Sequence, residues 1–168
     1  MNKTIIFNAL HEVPLKFLRN HPACDVRINI GNLLIDAEFV IDTGAVISII
    51  PIYLFREFSF DGYVMAEQYN IGGVGEGGMN GCIIKLNHFV IANYTVVEPL
   101  VFIPNNENWT IPMLGFDLLR GIYPYIDAKE KIVWFKRIRN AGETFLSSVN
   151  LTLKCEVLIN NLNSEARA

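Results

Sequence analysis

The sequence predicts an all-β domain with one or two short helices, and three observations carry that expectation. The chain has 168 residues, 51% of them hydrophobic and 18% charged, with a mean hydropathy of +0.29. That is enough apolar material for one packed core, and far from the composition of a disordered chain. The apolar residues come in short runs rich in β-branched and aromatic types, separated by Gly, Asn and Pro, the punctuation of strands joined by turns. One pair of runs, Cys24 to Ile30 and Leu33 to Ile41, flanks Gly31-Asn32 and reads as a hairpin.

Taken in order, Thr4 to Leu10 is a candidate opening strand, and the hairpin then delivers the chain to Asp42. Pro51 suits a first helical position, so Tyr53 to Phe58 is expected to form a short helix. Tyr63 to Ile71 and Cys82 to Leu86 are expected as strands on either side of a glycine-rich stretch, Gly72 to Gly81, and Phe89 to Ile91 and Val96 to Ile103 as further strands. Pro104 to Trp109 reads as a polar loop. Ile111 to Leu114, a helical turn near Gly115 to Arg120, and strands at Ile122 to Ile126 and Lys131 to Ile138 follow. Beyond Asn140 one strand is expected, at Val149 to Ile159, with a polar end expected to be mobile. Trp109, Tyr123, Tyr125, Trp134 and Phe135 are assigned to the core on residue type.

The most informative stretch is Ile41-Asp42-Thr43-Gly44-Ala45, an acidic residue on a small-residue loop between the apolar runs Phe39 to Ile41 and Val46 to Pro51. An ionised carboxylate in such a place needs a partner or a purpose. About seventy residues on comes Ile111-Pro112-Met113-Leu114-Gly115-Phe116-Asp117-Leu118-Leu119, and the glycine-rich segment lies between the two. Asp-Thr-Gly-Ala resembles the catalytic loop of aspartic proteases. The later run looks like the hydrophobic-hydrophobic-Gly element and short helix of retroviral-type members, and the glycines stand where that family has its flap. Three elements in one order, over roughly residues 24 to 137, are far more specific than a four-residue motif alone.

The resemblance implies a retropepsin-like acid-protease β-barrel, closed, with one lobe per chain. It divides the chain into residues 1–23, an N-terminal strand or extension and candidate dimer contact; 24–138, the protease domain; and 139–168, a C-terminal extension. It places catalysis on Asp42, bracing of the loop across a two-fold axis on Thr43, and close backbone passage on Gly44. Ala45, Val46, Ile47, Gly73, Val74 and Gly75 become the candidate substrate-binding residues. The chain holds one Asp-Thr-Gly, whereas this chemistry needs two carboxylates sharing a proton. A homodimer acting on a polypeptide is therefore implied, with no metal and no cofactor. Residues 1–10 and 149–159 are the candidates for an intersubunit sheet of chain ends. Asp117 is assigned no chemistry, only helix capping or a surface contact.

One departure stands out. Many viral members carry an acidic residue at the position of Val46 that pairs with an Arg at the position of Phe116, and both are apolar here. Non-viral members often lack that pair, which places this chain among cellular or bacterial relatives. The change also motivates an alternative, a peptide-binding or scaffold protein on the same fold that does not turn over.

Other classes fare worse. A net charge of −3 and a pI near 5.6, with no basic block beyond Lys136-Arg137-Ile138-Arg139, argue against a nucleic-acid partner. Asp42, Gly44 and Pro51 interrupt the most apolar window, so no membrane span is expected. The apolar part of Met1 to Asn8 is short for a secretory signal, making cytoplasmic residence the default. Cys24, Cys82 and Cys155 read as reduced thiols, and His11, His21 and His88 lack metal-ligand spacing. Gly73-x-Gly75-x-x-Gly78 spells a dinucleotide fingerprint, but that fingerprint requires a helix where Cys82-Ile83-Ile84 reads as strand.

Overall fold

The computed structural model describes residues 11–56, 58–72, 78–92 and 94–137. The expected strands at Thr4 to Leu10 and Val149 to Ile159, and the expected flap residues Gly73, Val74 and Gly75, lie outside the described residues.

The fold grows from the hairpin of β3 (His21–Ile30) and β4 (Leu33–Ile41), paired antiparallel with Ile28 opposite Ile35 and Ile30 opposite Leu33. Gly31 turns the corner at φ +55°, a left-handed backbone that glycine adopts without penalty. Period-two alternation sends Cys24, Val26, Ile28 and Ile30 into the core, each no more than 3% exposed. Arg27 points the other way, its Nε donating to Asp36 Oδ1 across the hairpin at 2.7 Å. β7 (His88–Ile91) extends this sheet from β3, and β8 (Tyr94–Val97) from β7. Phe39 and Phe89 meet edge to face at 5.4 Å in its core.

Two three-stranded sheets complete the described body. In one, β6 (Met79–Lys85) lies between β5 (Val64–Ile71) and β9 (Leu100–Pro104). In the other, β12 (Ile132–Arg137) lies between β1 (His11–Pro14) and β11 (Ile122–Asp127). β2 (Lys16–Leu18) pairs with β3. The helical content is slight: a 3-10 turn at Ile52–Phe55 and α1 (Phe116–Leu119). Among the described residues no helix is long and apolar enough to cross a membrane.

The feature that positions the site is a small parallel pairing. β10 (Met113–Leu114) lies alongside the end of β4, with Met113 opposite Val40 and Leu114 opposite Ile41. Ile49 bridges to both Met113 and Phe102. The chain leaving Asp42 is thus clamped between β9 and β10. Ile49, Met79, Ile83 and Phe102 form a second apolar cluster there, with Ile47, Ile71, Trp109 and Met113 packed on it. Gly81 is required on β6, because a Cβ would run into the Ile103 carbonyl and the Phe102 ring.

Several expectations need correction. The turn after Pro51 is four residues of 3-10 helix, Ile52–Phe55, and Pro51 caps it with extended ψ of 140° instead of entering it. The run Val96 to Ile103 is two strands, because Glu98 takes a left-handed φ of +50° and Pro99 follows it. Residues 11–18, with no predicted strand, form β1 and β2. Tyr123 and Tyr125 are not core residues: they share one face of the edge strand β11 at 68% and 47% exposed, Tyr125 stacked on Trp134 at 5.4 Å, while Phe135 is buried.

Candidate active site

Asp42 follows β4, where parallel pairing fixes its backbone: its N–H donates to the Leu114 carbonyl at 3.0 Å. The chain then turns back sharply. Asp42 Oδ1 accepts the N–H of Gly44 at 2.9 Å and that of Ala45 at 3.3 Å, the side-chain-to-backbone closure for which Asp suits turns. Among the described residues no hydrogen bond reaches Oδ2. Asp42 is half-buried, while Thr43 and Gly44 are exposed. One oxygen is therefore held by the loop, and the other is left unengaged by the described residues. A side chain at Gly44 would crowd the held oxygen, since a Cβ would lie 3.2 Å from Oδ1.

Around this carboxylate the other candidates separate. Ala45 is half-buried and its carbonyl accepts the Phe116 N–H at 2.7 Å. Val46 is 77% exposed, and its carbonyl accepts the Asp117 N–H at 3.3 Å. Ile47 turns inward onto the second apolar cluster. Val46 and Phe116, the latter 54% exposed, are thus exposed apolar residues on two loops joined by backbone hydrogen bonds. Gly78, the last glycine of the fingerprint-like run, is left-handed at φ +74° and is followed at once by β6, so no helix starts there.

A second carboxylate has a role other than the expected helix cap or surface contact. Asp117 does not cap its helix, whose N-cap is Gly115 with no side-chain hydrogen bond. Its carboxyl group turns inward and takes both donors of Ser48: the backbone N–H on Oδ2 at 3.0 Å and the hydroxyl on Oδ1 at 2.7 Å. Ser48 Oγ in turn accepts the Gly115 N–H at 2.9 Å. Desolvation pushes the Asp117 carboxyl up to about 6, against the opposing pull of Ser48, the Leu118 N–H and Arg120. The available signal was that Ser48 and Asp117 each interrupt an apolar run, and a polar side chain there needs a partner.

An Asp-Thr-Gly loop between core strands, clamped by a parallel two-residue strand that ends in glycine, defines the aspartic protease class of fold. The family model for retroviral aspartyl protease matches residues 18–127, more than half of the chain. The chain belongs to the retroviral aspartyl protease family. Among solved structures, a retropepsin-like aspartic protease from Rickettsia conorii is 18% identical with a TM-score of 0.54, covering 82% of this chain and 98% of that one. That likeness is one of fold. EIAV protease complexed with the inhibitor HBY-793 is 19% identical with a TM-score of 0.44, covering 69% of this chain and 92% of its own. No curated protein matches the chain.

Proposed function

We propose that this protein is an aspartic endopeptidase, active as a homodimer in which two Asp42 side chains face each other and act on one water. The observation that carries this reading is the state of Asp42, which sits half-buried on its loop: one oxygen is fixed by Gly44 and Ala45, and the other is engaged by no hydrogen bond among the described residues. Two such groups side by side cannot both ionise cheaply, so the pair holds one proton. The ionised member takes a proton from water as the water oxygen attacks the peptide carbonyl carbon. The protonated member gives its proton to the carbonyl oxygen, producing a neutral gem-diol. Collapse of the diol returns one hydroxyl proton to a carboxylate while the C–N bond breaks and the departing nitrogen takes the other carboxyl proton.

In this reading Thr43 braces its counterpart across the axis, Val46 and Ile47 help line the cleft, and Gly73, Val74 and Gly75 close over an extended chain with apolar side chains beside the scissile bond. Cys24 and Cys82 are free thiols, in keeping with the cytoplasm as its compartment. The test is Asp42→Asn. A mixed peptide library incubated from mildly acidic to neutral pH should be cut by the native protein. The variant, folded and of unchanged solution mass, should lose at least about a thousandfold in rate. Full activity in that variant refutes the assignment. The exposed apolar Val46 and Phe116, where viral members carry an ion pair, favour the second reading, a peptide binder without turnover. Retention of library peptides uncut would establish it.

A further inference from the structure

We propose that Asp117 is a positioning residue for the Asp42 loop: through Ser48 it locks the strand leaving that loop to the Gly115 turn, and so fixes where the Asp42 carboxylate stands. The proposal rests on the protease reading for its consequence in turnover, but the lock itself can be measured without it.

The loop has little else to hold it in shape. Thr43, Gly44 and Val46 are exposed, so side-chain packing does not pin the segment that carries the carboxylate. What ties it down is hydrogen bonding at its two ends. At the near end the Asp42 N–H donates to Leu114 at 3.0 Å. In the middle, Ala45 and Val46 carbonyls receive the Phe116 and Asp117 N–H groups at 2.7 and 3.3 Å. At the far end stands Ser48, fully buried, with every hydrogen-bonding role assigned. Its N–H and its hydroxyl hydrogen both go to Asp117, and its oxygen receives the Gly115 N–H.

These roles fit a carboxylate and little else. Ser48 sends its two donors to different oxygens of Asp117, and a carboxylate answers both where they stand. Asparagine offers one acceptor oxygen and one N–H₂, so the Ser48 donor now on the second carboxylate oxygen would face an N–H₂ or turn away, and Ser48 is fully buried. The turn has no slack to absorb such a change: a Cβ on Gly115 would lie 2.6 Å from the Ile47 carbonyl carbon and 2.8 Å from Asp117 Oδ1. A shift of Ser48 is therefore passed to Gly115, to Leu114 beside it, and back to the Asp42 N–H. Small misplacements of a reacting group are costly to rate even when binding survives.

Four variants test this: Asp117→Asn, Asp117→Ala, Ser48→Ala and the double Ser48→Ala/Asp117→Ala, each checked for fold by circular dichroism. On a cleaved peptide, kcat should fall by about tenfold to a hundredfold. KM should stay within about twofold, because the substrate-facing walls are untouched. The double variant should be no worse than the poorer single one, as for two parts of one device. Amide hydrogen exchange supplies the readout that a purely local role would not move. In Asp117→Asn the Gly44 and Ala45 amides, which donate to Asp42, should exchange faster together with Ser48 and Gly115. Unchanged kcat in folded variants, or exchange altered at Ser48 and Gly115 alone, overturns the proposal. If the native protein cuts no peptide, the protease reading fails by itself, and the exchange at Gly44 and Ala45 still decides whether the lock exists. Should Asp117→Ala not fold, Asp117→Asn and Ser48→Ala carry both measurements.

Discussion

Two aspartates on adjoining loops, Asp42 and Asp117, both half-buried, have been given different hydrogen-bonding partners. Asp42 keeps one oxygen on its own loop, and the other has no hydrogen-bond partner among the described residues. Asp117 turns inward and spends both oxygens on Ser48. Both stand in apolar sequence, and both are near glycine. In the proposed mechanism, what separates the reacting carboxylate from the supporting one is therefore unspent hydrogen-bonding capacity, not neighbours in the chain. A group already holding several donors inside the protein has less to offer a water or a substrate.

The sharpest break of this comparison is between activity and stability. Asp42→Asn should remove at least about a thousandfold of turnover while changing unfolding free energy by less than about 0.5 kcal/mol, as for substitutions away from buried features. Urea titration alongside the peptide assay checks it. A large loss of stability in Asp42→Asn would mean that its carboxylate supports the fold as Asp117 does.

Next comes pH. Burial raises the Asp117 carboxyl from 3.8 to about 6 in the folded protein, so between those values the native state binds a proton that the unfolded chain has released. Stability from this group is full below about pH 4 and is lost as pH rises through about 6. A rise of that size corresponds to at most about 3 kcal/mol. The difference in unfolding free energy between native protein and Asp117→Asn should shrink or reverse by up to that amount from pH 4 to 7. The variant cancels contributions from other carboxylates, including exposed Asp36, whose pKa is lowered by Arg27. A difference that is flat with pH would place the Asp117 titration elsewhere.

A smaller effect tests the join between the two loops. Gly115→Ala puts a methyl 2.6 Å from the Ile47 carbonyl carbon, which is backbone and cannot swing away. Overpacking of this kind typically costs about 1–3 kcal/mol, measurable by urea unfolding. A neutral outcome would show that the turn can open, and would weaken the case that it transmits position to Asp42.

Much of this arrangement was legible. The β3–β4 hairpin showed itself by alternation and by Gly31, and the Asp42 loop by a lone acid between apolar runs, because both signals are local. The break between β8 and β9 was hidden: Glu98 adopts a left-handed backbone usually left to glycine, so nothing in its type announces it. β1 was hidden for another reason, since its partner β12 is more than a hundred residues away, and Val13 against Val133 is a tertiary match with no local pattern. Ser48 and Asp117 lie 69 residues apart. Each signalled that it needed a partner, but the parallel pairing that brings them together is a property of the fold.

The two loops also differ in what faces them. Asp117 meets its own chain, whereas Val46, 77% exposed beside Asp42, is left open by it. In the proposed dimer a second copy must approach close enough to set one Asp42 against the other, so a residue four positions from that carboxylate lies at or near the contact. Val46→Asp then places a charge where an apolar side chain meets a desolvating surface, with no basic residue supplied at Phe116 to answer it. The dimer should dissociate about tenfold more readily, a change of about 1.4 kcal/mol, while the fold of each chain is untouched because the side chain is solvent-facing there. Sedimentation across a protein dilution series gives the first quantity and thermal unfolding of the dilute monomer the second. Equal dissociation constants for Val46→Asp and native protein would leave Val46 to the substrate cleft and move the subunit contact elsewhere on the chain.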